Sequence, residues 1–213
     1  MNKIRKVIIF FFYLISLNMS AQEALTEAQK LEFQNRVRQK IDEFQCSLSN
    51  IVNHQLKHEI RKEEVNKLLK LFIGEDDPYD YYDVEADARV HSTGVKIQIS
   101  NVYKTKSQSQ KLKNYIYKLY NPQTRKSTLP YTNIVIESAS AIRVDNIEKV
   151  DDHYECIAYF RQKFIGYRDG KVWYTDTTSR KIRCRVNHNY IELPTGRKMF
   201  DVILGDMWVT KCK

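Results

Sequence analysis

Residues 151–187, DDHYECIAYFRQKFIGYRDGKVWYTDTTSRKIRCRVN, decide the fold of this 213-residue chain. Two runs rich in β-branched and aromatic residues flank Asp169-Gly170. Asp-Gly between such runs predicts a hairpin with a type I′ turn, because both central residues of that turn need a positive φ. Arms of about 15 residues would extend about 50 Å if straight, at roughly 3.4 Å per residue. Such arms must twist and bend, and they offer a face that earlier helices can cover.

The alternation of side chains in the hairpin indicates which face is buried. In the second arm, Ile182, Cys184 and Val186 share one face, and Lys181, Arg183 and Arg185 share the other. This pattern predicts one buried and one solvated face. The first arm has a long apolar face with Ile157 and Tyr159 on its reverse. It therefore lies centrally in the sheet or bends so that both faces are covered. The apolar face consists of Tyr154, Cys156, Ala158, Phe160 and Phe164.

Helices are predicted before this hairpin. Thr26 and Gln29 fit a capping box, and the apolar residues Phe33, Val37, Ile41, Phe44, Leu48 and Ile51 then recur at helical spacing to about residue 58. A second helix is expected over residues 61–73 with Gly74 as its C-cap, and a short third helix over residues 111–120. Each of the first two helices has one apolar face that needs a sheet to cover.

The remaining segments complete one α+β domain. The acidic stretch 75–87 is expected to be a surface loop, and strands are expected near residues 86–92, 95–102, 133–144 and 199–210. The predicted fold has N-terminal helices packed on a curved, mainly antiparallel, cone-like sheet with a long C-terminal hairpin.

The first 22 residues have the three parts of a signal peptide. Lys3, Arg5 and Lys6 precede an apolar run over residues 7–17, and small or polar residues follow up to a cleavage site near Ala21. The run is shorter than the roughly 20 residues that span a bilayer. We therefore expect residues 23–213 to form a single exported domain, in the periplasm or at the cell surface, with no membrane span after cleavage.

Charge is distributed in blocks along the chain. Residues 75–87 include seven acidic residues and no basic one, and residues 104–126 include seven basic residues and no acidic one. Such blocks are either solvated faces or a polarised surface that attracts an envelope protein or an anionic surface ligand. Nucleic acid is not an expected partner, because the chain has an export signal and no recognisable binding motif. The oligomeric state stays open, with a homodimer among the alternatives.

No cofactor or metal is expected. The cysteines lack C-x₂-C spacing, the acidic stretch does not match a calcium-binding loop, and six glycines form no Gly-rich loop. With regular pairing from a two-residue turn, Cys156 faces Arg183 and Lys163 faces Asp176. One bulge residue would instead bring Cys156 opposite Cys184. A Cys156–Cys184 disulfide and a pair of buried free thiols are thus both open.

The element order resembles the nuclear-transport-factor-2-like (cystatin-like) fold, as seen in exported bacterial proteins of uncharacterised function. The resemblance spans about residues 26–209 and also involves the strings IESASAIRVDNI, YECIAYFRQKFIGYRDGKVWYTDTT and LGDMWV. It implies a pocket between helices and sheet, in either a non-enzymatic binding module or a small enzyme such as an isomerase or dehydratase. The enzymatic branches have an inward-facing Asp/His pair, which cannot be assigned here, because the five histidines lie at predicted helix or strand ends.

Two groups of residues are candidates for a pocket. Asp206 is the best candidate for a general acid or base, because a carboxylate in an apolar strand is costly to bury unless it has a structural or functional role. Tyr154 or Tyr159 would assist it. The structural alternative is a bulge at Gly205 with Asp206 bound to a backbone amide. Gln162 is a polar residue on an apolar face, and with Phe160 and Trp208 it is expected to line a ligand pocket, unless its amide is a hydrogen-bonded structural group.

A third group surrounds the turn. These aromatic and basic residues have a composition typical of protein interfaces; alternatively, the rings pair across the strands and stabilise a bent hairpin. They are Arg161, Lys163, Tyr167, Arg168, Lys171, Trp173 and Tyr174.

Taken together, these features predict an exported, non-catalytic binding or scaffolding module of the bacterial cell envelope. The alternatives are a small pocket enzyme of isomerase or hydratase type using Asp206, and a polysaccharide-binding domain with a row of exposed aromatic rings.

Overall fold

The computed structural model describes residues 25–74, 78–83, 88–100, 107–120, 131, 133–145, 147–150, 153–192 and 198–212. The chain divides into two compact units, residues 1–32 and residues 33–213. The described part of the first unit is residues 25–32, where the first helix begins. The predicted signal peptide lies outside the described residues.

In the described residues, three helices precede or interrupt the strands: α1 at Glu27–Val52, α2 at His58–Lys70 and α3 at Leu112–Tyr120. The predicted capping box is confirmed at the start of α1. The Gln29 amide donates to Thr26 Oγ1 at 3.3 Å, and the Thr26 amide donates to Gln29 Oε1 at 2.9 Å. The helix ends six residues earlier than predicted.

The predicted C-cap of α2 at Gly74 is wrong. The helix ends at Lys70 with Leu71 as its C-cap. The Leu204 amide donates to the Leu71 carbonyl at 2.8 Å, and the Ile73 amide donates to the Leu204 carbonyl at 2.9 Å. Pairing with a distant strand therefore takes the backbone groups that a further helical turn would use.

The strands form two sheets. An eight-stranded sheet has the order β4-β3-β10-β9-β8-β5, with β6 and β7 also paired to β8, and β1 and β2 form a separate antiparallel pair. Every pair of described strands is antiparallel except β3 with β10. The strands are β1 Pro78–Asp83, β2 Ala88–Thr93, β3 Lys96–Ile99, β4 Gln108–Lys111, β5 Asn133–Ser138, β6 Arg143–Val144, β7 Glu148–Val150, β8 His153–Arg168, β9 Lys171–Glu192 and β10 Lys198–Cys212.

Two strand predictions need correction. The acidic stretch expected to be a loop contains β1, whose backbone pairs with β2. The strand expected over residues 133–144 is two strands, β5 and β6, which pair with different parts of β8. In both cases the pairing partner, which local sequence does not reveal, decides the outcome.

The hairpin of β8 and β9 has the predicted turn, with φ of 51° at Asp169 and 76° at Gly170. Tyr167 lies opposite Val172, but Gly166 lies opposite Tyr174, so Trp173 is an extra residue in β9. This bulge shifts the register, and Cys156 lies opposite Cys184. The predicted pairing of Lys163 with Asp176 is wrong, because Lys163 faces Thr177 and Phe164 faces Asp176.

The core lies on one face of the large sheet. Ile182, Cys184 and Val186 are fully buried there, and we call their side the core face and the reverse the outer face. The Phe44 ring of α1 contacts Phe160 of β8, with ring centroids 6.5 Å apart. The predicted α+β class is confirmed: three helices pack on a mixed, largely antiparallel eight-stranded sheet.

Candidate functional site

A cavity of about 180 Å³ opens where α3 lies against the core face of the sheet. Its apolar wall includes Ile99 of β3, Leu119 of α3 and Ile136 of β5. Aromatic and polar side chains complete the lining, namely Ser100, Tyr115, Tyr131, Gln162, Phe164, Tyr174, Asp176, Thr178 and Arg180. The cavity thus combines an apolar wall with several polar groups, a composition typical of small-ligand sites.

Strand β9 supplies the polar side of this cavity. Tyr174, Asp176, Thr178 and Arg180 alternate along it in the same phase as Ile182, so they all occupy the core face. The sequence reasoning missed the last three. A usable signal was present, because extending the buried alternation of Ile182 backwards in steps of two places a guanidinium and a carboxylate on an apolar face.

Asp176 is held by two hydroxyl groups. It is only 6% exposed, the Tyr174 hydroxyl donates to its Oδ2, and the Thr178 hydroxyl donates to its Oδ1 at 3.3 Å. Both carboxylate oxygens therefore have a donor from the same strand. These hydrogen bonds fix the orientation of the carboxylate and offset part of the free-energy cost of burying it.

Arg180 reaches across to neighbouring strands. Its Nη1 donates to the Gln98 carbonyl of β3 at 3.0 Å and lies 3.7 Å from the Met207 sulfur. Its Nε is buried and has no hydrogen-bond partner among the described residues. Burial lowers the pKa of Arg180, and Tyr115 and Asp176 act in the opposite direction. Burial likewise raises the pKa of the Tyr115 phenol.

Gln162 faces the same cavity from β8, opposite Thr178 on one side and Ser138 on the other. Its side chain is buried, and its amide nitrogen Nε2 has no hydrogen-bond partner among the described residues. A buried donor without an acceptor costs about 1–3 kcal/mol. The cavity is therefore lined by two residues, Gln162 and Arg180, that each keep a buried N–H group without an acceptor.

An aromatic cluster lines another part of the same cavity. The ring centroids of Tyr131, Phe164 and Tyr174 are 5.6, 5.9 and 6.2 Å apart in pairs. A Cβ at Gly166 would overlap the Tyr131 ring. Glycine at this position of β8 thus lets the Tyr131 ring lie directly on the strand backbone.

The residues predicted to line one pocket lie in different parts of the structure. Gln162 lines the cavity, whereas Phe160 is buried in the core against Phe44. Trp208 lies on the outer face of β10, where Lys181 Nζ and Arg183 Cζ are 5.6 and 5.8 Å from its ring centroid. The three residues therefore do not form one site, because the alternation of β10 directs Met207, and not Trp208, to the core face.

The predicted catalytic group also separates. Asp206 is 4% exposed, and its Oδ1 accepts the Lys96 amide at 2.7 Å beside a bulge between Leu204 and Met207. Tyr154 is on the core face of β8, whereas Tyr159 is on the outer face with Arg143 Cζ 4.4 Å from its ring centroid. Asp206 has the backbone-bonded arrangement that the sequence offered as its structural alternative.

The turn-proximal group is divided between two places. Trp173 and Val172 are 61% and 58% exposed at the bulge, and Arg168 Cζ lies 5.1 Å from the Trp173 ring centroid. Tyr174 instead lines the cavity. Tyr167 is half-buried, and the basic residues of the group are exposed, namely Arg161, Lys163, Arg168 and Lys171.

All four cysteines are free thiols in the structure. Cys156 and Cys184 are buried and directly opposed on the core face. Burial raises the pKa of Cys184 well above its ordinary value, and a hydrogen bond with Cys156 adds to this shift. Cys46 is exposed on α1.

A second buried polar cluster occupies the outer face of β8 and β9. Arg183 Nη1 and Glu155 Oε2 are 2.5 Å apart, and His153 Nε2 lies 3.0 Å from Glu155 Oε1. The outer face expected to be solvated is therefore buried at Arg183. Local alternation indicates a face, but it does not say what covers that face.

No group of three or more His, Cys, Asp or Glu residues in the described part of the chain is arranged to hold a metal ion. None of the described helices is long and apolar enough to cross a membrane.

Comparison of the chain with protein-family models, with curated proteins and with solved structures found no match.

Proposed function

We propose that the protein is an exported binding module of the cell envelope that holds a small ligand in the cavity between α3 and the sheet. The observation that carries this proposal is the pair of buried donors, Gln162 Nε2 and Arg180 Nε, in side chains that line one cavity. Export rests on the signal-peptide pattern of residues 1–22.

The unpaired amide nitrogen of Gln162 favours a role in ligand binding over a purely structural role. An apolar side chain of similar size at position 162 would remove an unpaired buried donor, so the amide lowers the stability of the empty protein. Ligand sites commonly place a few such polar groups in an otherwise apolar cavity to orient what they bind. Acceptor atoms on a bound ligand would give these donors partners.

The hydrogen bonds of the buried carboxylates favour a binding function over a catalytic one. Asp176 accepts two hydroxyl groups, and Asp206 accepts a backbone amide. These contacts give each carboxylate a positioning role. The pocket-enzyme alternative relied on Asp206, whose backbone hydrogen bond favours the binding module.

The cavity can be tested by filling it. We expect a library of small fragments, titrated into the isotope-labelled mature protein, to shift NMR signals of cavity residues such as Leu119 and Ile136. Ile136→Phe should abolish these shifts, because Ile136 lines the cavity. Val135→Phe is the matched control on the same strand, at a half-buried position outside the lining. Fragment binding that maps elsewhere, or that Ile136→Phe leaves intact, would contradict the proposal.

The hairpin tip supports a second candidate function, contact with an anionic envelope partner. The bulge exposes Val172 and Trp173 beside the basic residues Arg168 and Lys171, and exposed rings next to cations are typical of interfaces. Immobilised mature protein should retain a partner from an envelope extract in a salt-sensitive manner. If the Trp173→Ala, Arg168→Ala double variant retained the partner equally well, the hairpin tip would not be the binding surface. Tyr117→Ala on α3 is the control variant.

The polysaccharide alternative stays a prediction. It required a row of aromatic side chains on one solvent face. Among the side chains whose exposure the structure describes, the strongly exposed aromatic ones are Tyr117 on α3 and Trp173 at the hairpin tip, which belong to separate elements.

A further inference from the structure

The cavity has two chemically different ends. Phe164 belongs to the aromatic cluster with Tyr131 and Tyr174, and Gln162 lies two residues away on the same face of β8. Two residues of a strand span about 7 Å, which is close to the length of a substituted benzene ring. Arg180 then lines the cavity beyond Thr178, the residue opposite Gln162.

The polar end presents two hydrogen-bond donors, one of them on a guanidinium. Gln162 Nε2 and Arg180 Nε are both N–H donors without partners in the described structure, so a ligand group there must accept hydrogen bonds. The guanidinium donates to the Gln98 carbonyl. The nearby Asp176 carboxylate also acts on its charge, but both oxygens of that carboxylate are already bonded to hydroxyl groups. Arginine binds carboxylates in preference to neutral acceptors, because charge-assisted hydrogen bonds are about twice as strong.

Size limits what the cavity can hold. Its volume is about 180 Å³, and an apolar protein cavity of about 150 Å³ holds one benzene molecule. One six-membered ring with one small substituent therefore fills the space.

We infer that the cavity, if it is the binding site proposed above, takes a small aromatic carboxylate. The ring packs among Phe164, Tyr174 and Ile136, and the carboxylate accepts hydrogen bonds from Gln162 and Arg180. Asp176, with each oxygen already bonded to a hydroxyl group, orients Tyr174 and Thr178 and takes no part in holding the carboxylate.

The test is a calorimetric titration of the mature protein with benzoate, with toluene supplying the ring alone and acetate the carboxylate alone. We expect saturable binding of benzoate, with a dissociation constant at least about tenfold lower than for either fragment. Gln162→Leu and Arg180→Lys should each weaken benzoate binding by about tenfold or more, since each removes one hydrogen bond to a charged group. Gly166→Ala should weaken benzoate and toluene alike, because its Cβ displaces the Tyr131 ring.

Gln45→Leu is the matched control. Gln45 on α1 is also a buried glutamine whose amide atoms lack partners in the described structure, but it does not line the cavity. Its substitution should leave benzoate affinity unchanged. Circular dichroism establishes that each variant is folded, and Gln162→Leu alone decides the point should Arg180→Lys unfold the protein.

Two results would overturn the inference. One is equal benzoate affinity in the native protein and the Gln162→Leu variant; the other is toluene binding as tight as benzoate binding. Either would leave the cavity as a binding site with a different ligand class. The absence of cavity-directed shifts from every fragment in the NMR titration would instead overturn the proposed function itself.

Discussion

Buried polar side chains divide into two kinds in this protein. The carboxylates Asp176 and Asp206 accept hydrogen bonds from hydroxyl groups and from a backbone amide. The amides of Gln162 and Gln45 keep buried nitrogens without partners in the described structure. The hydrogen-bonded carboxylates stabilise the fold, whereas the unpaired amides lower its stability. Substitution of each kind therefore has an opposite expected effect on the free energy of unfolding.

Gln162→Leu is expected to raise the free energy of unfolding by about 1 kcal/mol or more, because it removes a buried unpaired donor at nearly constant volume. Urea denaturation of the empty protein measures this change. Gln45→Leu should raise the same quantity for the same reason, and only the first variant should lose ligand affinity. A fall in stability for Gln162→Leu would show that its amide is satisfied in solution.

Asp206→Ala is expected to lower the free energy of unfolding by about 1–3 kcal/mol, because the Lys96 amide loses its acceptor. Asp206→Asn should recover most of this loss, since the amide oxygen can accept the same hydrogen bond. Equilibrium denaturation of the two variants gives the comparison. Equal stability of the native protein and Asp206→Ala would argue against a structural role for this carboxylate.

At the scale of elements, one extra residue in β9 decides which side chains meet. Because side chains alternate along a strand, regular pairing beyond Tyr167 and Val172 would have placed Cys156 opposite Arg183. The bulge at Trp173 instead pairs Cys156 with Cys184, Phe164 with Asp176 and Gln162 with Thr178. The polar wall of the cavity depends on this register.

The turn that begins this register can be tested at Gly170, which has a φ of 76°. Gly170→Ala should destabilise the protein by about 1–2 kcal/mol, the cost of a left-handed conformation for an L-residue. Nothing lies within 4 Å of a Cβ built there, so the cost is conformational and not steric. Gly170→Asn should cost less, because asparagine tolerates this conformation. Equal losses for both variants in thermal denaturation would contradict this explanation.

At the scale of the whole molecule, three weakly acidic side chains hold their protons more tightly in the folded protein than in the unfolded chain. Burial raises the pKa of the thiols of Cys184 and Cys212 and of the Tyr115 phenol. The unfolded chain loses these protons at lower pH than the folded protein does. Their contribution to stability is therefore complete below the unfolded pKa values and is lost as pH rises above them.

We accordingly expect the free energy of unfolding to fall with rising pH from about 8.5, where an exposed thiol titrates, with a further fall near pH 10 from tyrosine. Urea denaturation from neutral to alkaline pH, with a reductant present, measures the trend. Cys184→Ala should flatten the first part of the decline, whereas Cys46→Ala, at an exposed position, should not. Stability that is constant or rises over this range would contradict the prediction.

More of the fold than of the candidate site could be predicted from the sequence. The α+β class, the three helices, the capping box at Thr26 and the turn at Asp169-Gly170 were all predicted. Of the cavity lining, sequence reasoning nominated Gln162 as a pocket residue and Tyr174 only as an interface residue. It missed Asp176, Thr178 and Arg180, because the apolar alternation of β9 was followed only as far as Ile182.

The sequence by itself determined those features whose causes lie within a few residues: the helix cap, the turn with positive φ and the alternation of buried faces. Tertiary structure alone decided the bulge register, the end of α2 at Leu204, the hydrogen bond of Asp206 to Lys96, and the union of β5, β8, β9 and α3 around one cavity. The reason is physical. These outcomes depend on hydrogen bonds and packing between residues far apart in the chain, which compete with local preferences and here prevail over them.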